Sequence, residues 1–184
     1  MDVIRNITKT DFSIANFKMI QNQLSPGYLT IFDFMKLIPH QYYLCTTIIK
    51  GSAIKKLIKT VQINEKGFLP TSGLKQFIKI NDKNNKKEVV DIKLYSDENK
   101  VVEIENDKEY TLSSNNFVLS EFCDNDFALK NYLDIIKPKI DKGNIKCSNK
   151  RAYIEIMNYF KNKGTIDINK VIDLSKKRIV ILKK

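Results

Sequence analysis

Lysine and aromatic side chains alternate in two nearby stretches, Lys75-x-Phe77-x-Lys79 and Lys93-x-Tyr95, and residues two apart on an extended chain share one face. Such a face suits a polyanion with unstacked rings. Its ammonium groups meet phosphates, while Phe77 and Tyr95 offer flat surfaces on which bases stack, at roughly 1–3 kcal/mol per base whatever the base sequence. The same stretch holds a second chemistry. Asp82, Asp91 and Lys93 are spaced so that two carboxylates could hold Mg²⁺ while the lysine orients or activates an attacking water. The simpler explanation for Asp82 is its place in an Asp-Lys-Asn-Asn turn, and for Asp91 a charge pair with Lys79 on the neighbouring strand. Binding without catalysis, with no catalytic residue and no metal, is therefore the first expectation, and Mg²⁺-dependent cleavage the alternative.

The elements that position these residues follow from periodicity. Leu74, Gln76, Ile78 and Ile80 line one face of a strand and Lys75, Phe77 and Lys79 the other. After a polar turn at residues 82–87, Val90, Ile92 and Leu94 continue the apolar face, leaving Val89, Asp91, Lys93 and Tyr95 outside. A hairpin that keeps both apolar faces together pairs Lys79 with Asp91, Phe77 with Lys93 and Lys75 with Tyr95. Further strands are expected at 101–105, 109–112 and 117–122. Glu103 and Glu105 point outward there and would repel phosphate, which confines binding to 74–95.

Elsewhere the reading is mixed. Thr10 or Asp11 caps a helix through Phe12, Ile14, Phe17, Ile20 and Leu24, and Ser25-Pro-Gly27 ends it. Residues 29–38 are apolar but undecided between helix and strand; 42–49 reads as a strand stopped at Gly51. Residues 52–66 fit a short helix through Ile54, Leu57 and Ile58, or a strand through Leu57, Val61 and Ile63. A helix over 126–136, a polar connector over 139–149, a helix from Ser148 or Asn149 to Gly164, a short element over 167–176 and a strand at 178–182 complete the chain.

The succession of a strand around 53–66, hairpins at 74–95 and 101–122 and a following helix resembles the oligonucleotide-binding (OB) fold of single-stranded DNA-binding proteins of the replication protein A type. That resemblance covers about residues 53–122. It implies an α+β chain, mostly β at its core, with an OB-like five-stranded barrel flanked by N- and C-terminal helices. It also implies a non-catalytic role in replication or repair, with single-stranded DNA or RNA as partner, and Lys75, Phe77, Lys79, Lys93 and Tyr95 as contacts. The Asp82, Asp91, Lys93 set resembles instead the PD-(D/E)xK nucleases. Asp82 lacks the preceding proline of that pattern.

Charge extends the same reading. The chain carries +11 over 184 residues, and residues 139–184 hold 13 basic against 4 acidic side chains, a balance that favours a polyanion. Lys150, Arg151, Lys177 and Arg178 form a second candidate nucleic-acid surface there. An AT-rich coding sequence would also enrich lysine, and an interaction protein docking a protein partner through its N- or C-terminal region is a third class. Three regions are expected: a helical or mixed extension over 1–50, a β-domain with its helix over 51–138, and a basic region over 139–184. The cysteines Cys45, Cys123 and Cys147 lack zinc spacing and read as reduced core thiols, and the single histidine, His40, as a turn residue. No cofactor, no membrane partner and an intracellular, non-secreted setting are expected.

Overall fold

The computed structural model describes residues 1–16, 19–63, 70–81, 86–95, 100–121, 144–164 and 179–182. Helix α1 (Asp2–Thr8) leads into β1 (Phe12–Ile14); α2 (Ile31–Leu37) precedes β2 (Tyr43–Lys50), which passes directly into α3 (Gly51–Ile63). Then come β3 (Thr71–Ser72), β4 (Leu74–Asn81), β5 (Lys86–Tyr95), β6 (Val101–Glu103), β7 (Glu109–Asn115), α4 (Asn116–Glu121), β8 (Lys146–Arg151), α5 (Ala152–Lys163) and β9 (Ile179–Leu182).

Two open sheets form, in the orders β3-β1-β7-β2-β8 and β6-β5-β4-β9, each with one parallel pair, β1 with β7 and β4 with β9. The architecture is α/β with mixed sheets and no closed barrel, which corrects the expected OB-like barrel. The correction turns on residues 51–63. Ala53, Ile54, Leu57 and Ile58 are all at most 1 % exposed, the i, i+1, i+4, i+5 stripe of a helix. That stripe shares one core with Phe12, Ile49 and Leu112 of the first sheet and Leu74, Val89, Ile92 and Leu94 of the second. A helix there removes the first strand that a barrel needs.

The β4–β5 hairpin forms as its alternation predicts, but its register differs. Lys75 lies opposite Lys93 and Phe77 opposite Asp91; a bulge after Phe77 then sets Ile78 opposite Val89 and Lys79 opposite Glu88. The bulge exchanges the faces of two valines, burying Val89 to 3 % and leaving Val90 exposed. The expected Lys79–Asp91 pair is therefore not made.

The N-terminal helix expected from Phe12 is instead β1, whose three residues are all buried. Phe12-Ser13-Ile14 is too short to set a period of two against the apolar residues that follow, Ala15, Phe17 and Ile20, which continue it as a helical stripe. A second core gathers Ile4, Phe34, Ile38, Tyr42, Leu44, Ala152 and Ile156, which seats α1, α2 and α5 together; Phe34 and Phe160 rings lie 5.8 Å apart there. The last helix begins at Ala152, because residues 146–151 pair with β2 as the edge strand β8. Cys45 stands opposite Cys147 across that pair and the two are joined in a disulfide, which corrects the reading of both as reduced thiols. The expected helix over 126–136 and the element over 167–176 lie outside the described residues.

The backbone N–H and hydroxyl of Thr30 both donate to Asp33 Oδ2 at 2.7 Å, fixing the start of α2. These bonds, the hydroxyl's first, hold the Asp33 carboxyl below its usual value. A depressed carboxylate pKa stabilises the fold above the unfolded value, and the contribution is lost as pH falls through the folded one. Thr30→Ala should therefore move the Asp33 pKa up towards an ordinary aspartate in an NMR titration. An unmoved pKa would mean that the cap does not set it.

Candidate functional site

The residues singled out by sequence occupy two separate surfaces. Lys75, Phe77, Lys79, Lys93 and Tyr95 do share the outer face of the second sheet. Lys75 Nζ lies 5.6 Å from the Phe77 ring centre and 5.8 Å from that of Tyr95, and Lys93 Nζ 5.9 Å from Phe77. The charge of Lys93 is engaged within the face, however. Lys93 is hydrogen-bonded to Glu103 and lies 3.6 Å from Asp91, and Glu103 first, then Asp91, holds its ammonium above the ordinary lysine value. Asp91 Oδ1 accepts from the N–H of Ile92 at 2.8 Å. Asp82, Lys177 and Arg178 lie outside the described residues. Among the described residues no three His, Cys, Asp or Glu side chains gather as a metal site would require.

Lys150 and Arg151 sit on β8, at the edge of the other sheet. Lys150 is exposed. Arg151 donates to the backbone oxygen and Oε1 of Gln41 at 2.9 and 2.8 Å, and its guanidinium lies 4.5 Å from the Tyr43 ring centre. Its role is to hold the chain at Gln41–Tyr43.

That chain forms one wall of a cleft of about 400 Å³ lined by Asn16, His40, Gln41, Tyr42, Asn116 and Phe117, a size that ligand sites occupy. Topology explains the convergence. Strands β1 and β7 are parallel neighbours, so their carboxyl ends emerge on one side, with Asn16 just beyond β1 and Asn116 just beyond β7. Antiparallel β2 starts on that same side, where Leu44 faces Asn115. Ligands commonly settle outside the carboxyl ends of strands in open α/β sheets.

The cleft is aromatic. Phe117 is 41 % exposed; its ring centre is 6.1 Å from that of Tyr42, and the His40 ring centre is 5.2 Å from that of Tyr42. Polar contacts lock the frame. Asn115, fully buried, accepts from the Val118 N–H and donates to Asn16 Oδ1, both at 2.8 Å; Asn16 Nδ2 donates to the Tyr42 hydroxyl at 3.2 Å. Asn116 Oδ1 accepts from the Tyr43 N–H at 2.8 Å, and Gln21 Nε2 lies 2.7 Å from His40 Nε2. None of these groups forms a sequence motif, since they come from three segments about 25 and 75 residues apart that only strand pairing unites. The available signal is local: polar and aromatic residues adjoin where strands end, in Asn16-Phe17, His40-Gln41-Tyr42 and Asn116-Phe117.

An aromatic and amide cleft at the strand ends of an open α/β sheet is the kind of place where small molecules settle in other proteins. The model of the family described as 5'-nucleotidase, C-terminal domain, matches residues 1–147, and the chain belongs to that family. Solved structures agree on the fold. A 5'-nucleotidase precursor from Thermus thermophilus matches with TM-score 0.74 at 17 % identity, covering 100 % of this chain and 34 % of that one. The NAD nucleotidase of Haemophilus influenzae matches with TM-score 0.61 at 14 % identity, over 98 % and 30 %. A Thermus thermophilus sulfate thiohydrolase matches with TM-score 0.60 at 10 % identity, over 100 % and 29 %. The chain thus spans about a third of the length of these structures. No curated protein matches the sequence.

These findings overturn the resemblance to single-stranded DNA-binding proteins, and with it the expected single-stranded DNA or RNA partner and the place in replication. The family is that of an enzyme, so the expectation of a non-enzymatic binding protein is corrected as well, and the PD-(D/E)xK nuclease alternative finds no support. The physical cause of the error is that an amphipathic hairpin with lysines outside is common to many sheets.

Proposed function

We propose that this chain is the nucleotide-recognition domain of a 5'-nucleotidase-type hydrolase, and that the base of the nucleotide enters the cleft between Phe117 and the His40–Tyr42 wall. The observation that carries the reading is the cleft itself: a half-exposed Phe117 ring beside Tyr42, with His40 also next to Tyr42, framed by amides, in a member of this family. Aromatic faces hold a planar base and amides read its edge. In this reading the groups that break the phosphate ester belong to a portion like the two thirds of the related structures that this chain does not span. The Cys45–Cys147 bridge supports a working place where disulfides persist, in contrast to the reducing interior that the sequence suggested.

Isothermal titration with nucleoside 5'-monophosphates, set against ribose 5-phosphate, tests it. Nucleotides should bind more tightly than the baseless sugar phosphate. Phe117→Ala should remove a stacking contact of roughly 1–3 kcal/mol, a loss of about ten- to a hundredfold in affinity. Equal binding of ribose 5-phosphate, or a Phe117→Ala protein that binds like the parent, would refute the assignment.

A further inference from the structure

The hydrogen bonds around this cleft have directions that chemistry fixes. The Val118 N–H can only donate, so Asn115 meets it with oxygen and turns its NH₂ to Asn16. Asn16 must then receive with oxygen and donate from nitrogen, and the Tyr42 hydroxyl receives that donation. The Tyr42 proton is left without an acceptor among the described residues. The Tyr43 N–H likewise engages the Asn116 oxygen, and the Arg151 guanidinium, a donor only, engages Gln41 Oε1. Backbone carbonyls in the wall are engaged too: those of His40, Gln41 and Tyr42 accept from the Tyr42 N–H, Arg151 Nη1 and the Ala152 N–H.

Each anchored polar side chain of the lining therefore has an oxygen already receiving a hydrogen bond and hydrogens still to give. Asn16, Gln41, Tyr42 and Asn116 all present donors. Among the described residues no carboxylate lines the cleft. A ligand edge carrying carbonyl oxygens meets N–H and O–H groups with hydrogens still to give, whereas an exocyclic amino group finds only the second lone pairs of oxygens that already accept.

We propose that the cleft selects nucleotides whose base carries an oxo group, of the hypoxanthine or uracil kind, over those with an exocyclic amino group, of the adenine or cytosine kind. The proposal rests on the nucleotide-recognition reading above and adds the class of base. Asn16, Gln41, Tyr42 and Asn116 are its specificity residues. Two of them allow a direct reversal: Asn116→Asp keeps the oxygen that receives the Tyr43 N–H and puts an acceptor where the NH₂ stood, and Tyr42→Phe deletes a donor while keeping the ring.

The experiment is calorimetric titration of the full 184-residue chain with inosine against adenosine 5'-monophosphate, and uridine against cytidine 5'-monophosphate. Each pair shares its sugar and phosphate, so the affinity ratio isolates the base edge. The expected result is about tenfold or tighter binding of the oxo member in both pairs. Tyr42→Phe should reduce that ratio, and Asn116→Asp should bring it to unity or invert it. Any repulsion of phosphate by the new carboxylate falls equally on both members and cancels. Amino bases that bind as tightly as oxo bases would overturn the selectivity while leaving nucleotide recognition standing. Ratios unchanged in both variants would overturn the assignment to these donors. Absence of binding by all four nucleotides would overturn the underlying reading together with this one.

Discussion

Alanine at position 51 will cost the fold roughly 4 kcal/mol or more, a large share of the roughly 5–15 kcal/mol that holds a typical domain folded. A Cβ built on Gly51 falls 2.0 Å from the backbone oxygen of Glu105 and 2.8 Å from the Ile104 side chain. Neither can retreat cheaply. Ile104 is 2 % exposed, and the turn beyond it is bound to the start of α3 through Gly51 N–H to Lys108 O at 3.0 Å and Ser52 N–H to Asn106 O at 2.9 Å. Gly51 is where β2 of one sheet becomes the helix that covers the other, so the damage reaches the whole α3 core. Gly73 is comparable. It joins β3 to β4 with φ +82°, and its Cβ would lie 2.4 Å from Asp11 O and 3.0 Å from Phe12 Cα. Gly164, with φ +68° and open space around it, is the control, losing about 1–2 kcal/mol for left-handed backbone alone. Urea unfolding followed by circular dichroism orders the three variants, and parental stability of Gly51→Ala would refute the packing of α3 against residues 104–108.

The second large effect belongs to the disulfide. Cys45 and Cys147 are 102 residues apart, and in the chain-entropy account a loop of about 100 residues constrains the unfolded state by about 4.7 kcal/mol. The bond ties the edge strand β8 to β2, and β8 runs straight into α5, which closes the core under α1 and α2. Reduction, or replacement of both cysteines by serine, should therefore lower the urea midpoint strongly. It should also loosen Arg151 from Gln41 and so weaken the cleft wall. Identical midpoints with and without reductant would contradict this.

What is legible in the sequence is what repeats locally. The β4–β5 hairpin, β2, the end of α5 at Gly164 and the last strand each announce themselves by period-two alternation, β-branched runs or a terminal glycine. Their neighbours do not. Residues 52–63 satisfy both periods, and the choice of helix is made by burial against two sheets at once, a tertiary fact. Phe12–Ile14 looks helical because three residues are too few to show a strand period beside the apolar residues that follow them. The bulge after Phe77, invisible in the alternation, moves Asp91 from Lys79 to Phe77 and puts Lys93 between Asp91 and Glu103.

The cleft is the least legible part. Local pattern puts Phe117 in a strand and His40 in a turn, and it makes Arg151 a phosphate contact when the guanidinium in fact holds Gln41. Lysine-rich faces stand out in a sequence because their chemistry is contiguous. Here the contiguous surface is internally neutralised at Lys93, while the cleft is assembled from parts about 100 residues apart.

The most direct measurement is a ¹⁵N correlation spectrum of the chain titrated with inosine 5'-monophosphate. Shifts should concentrate on the side-chain amides of Asn16, Gln41 and Asn116 and on the backbone of His40, Tyr42 and Phe117, with Lys75, Phe77, Lys79 and Tyr95 unmoved. Shifts gathered on the β4–β5 face instead, or a spectrum that does not change at saturating nucleotide, would contradict nucleotide recognition in this cleft.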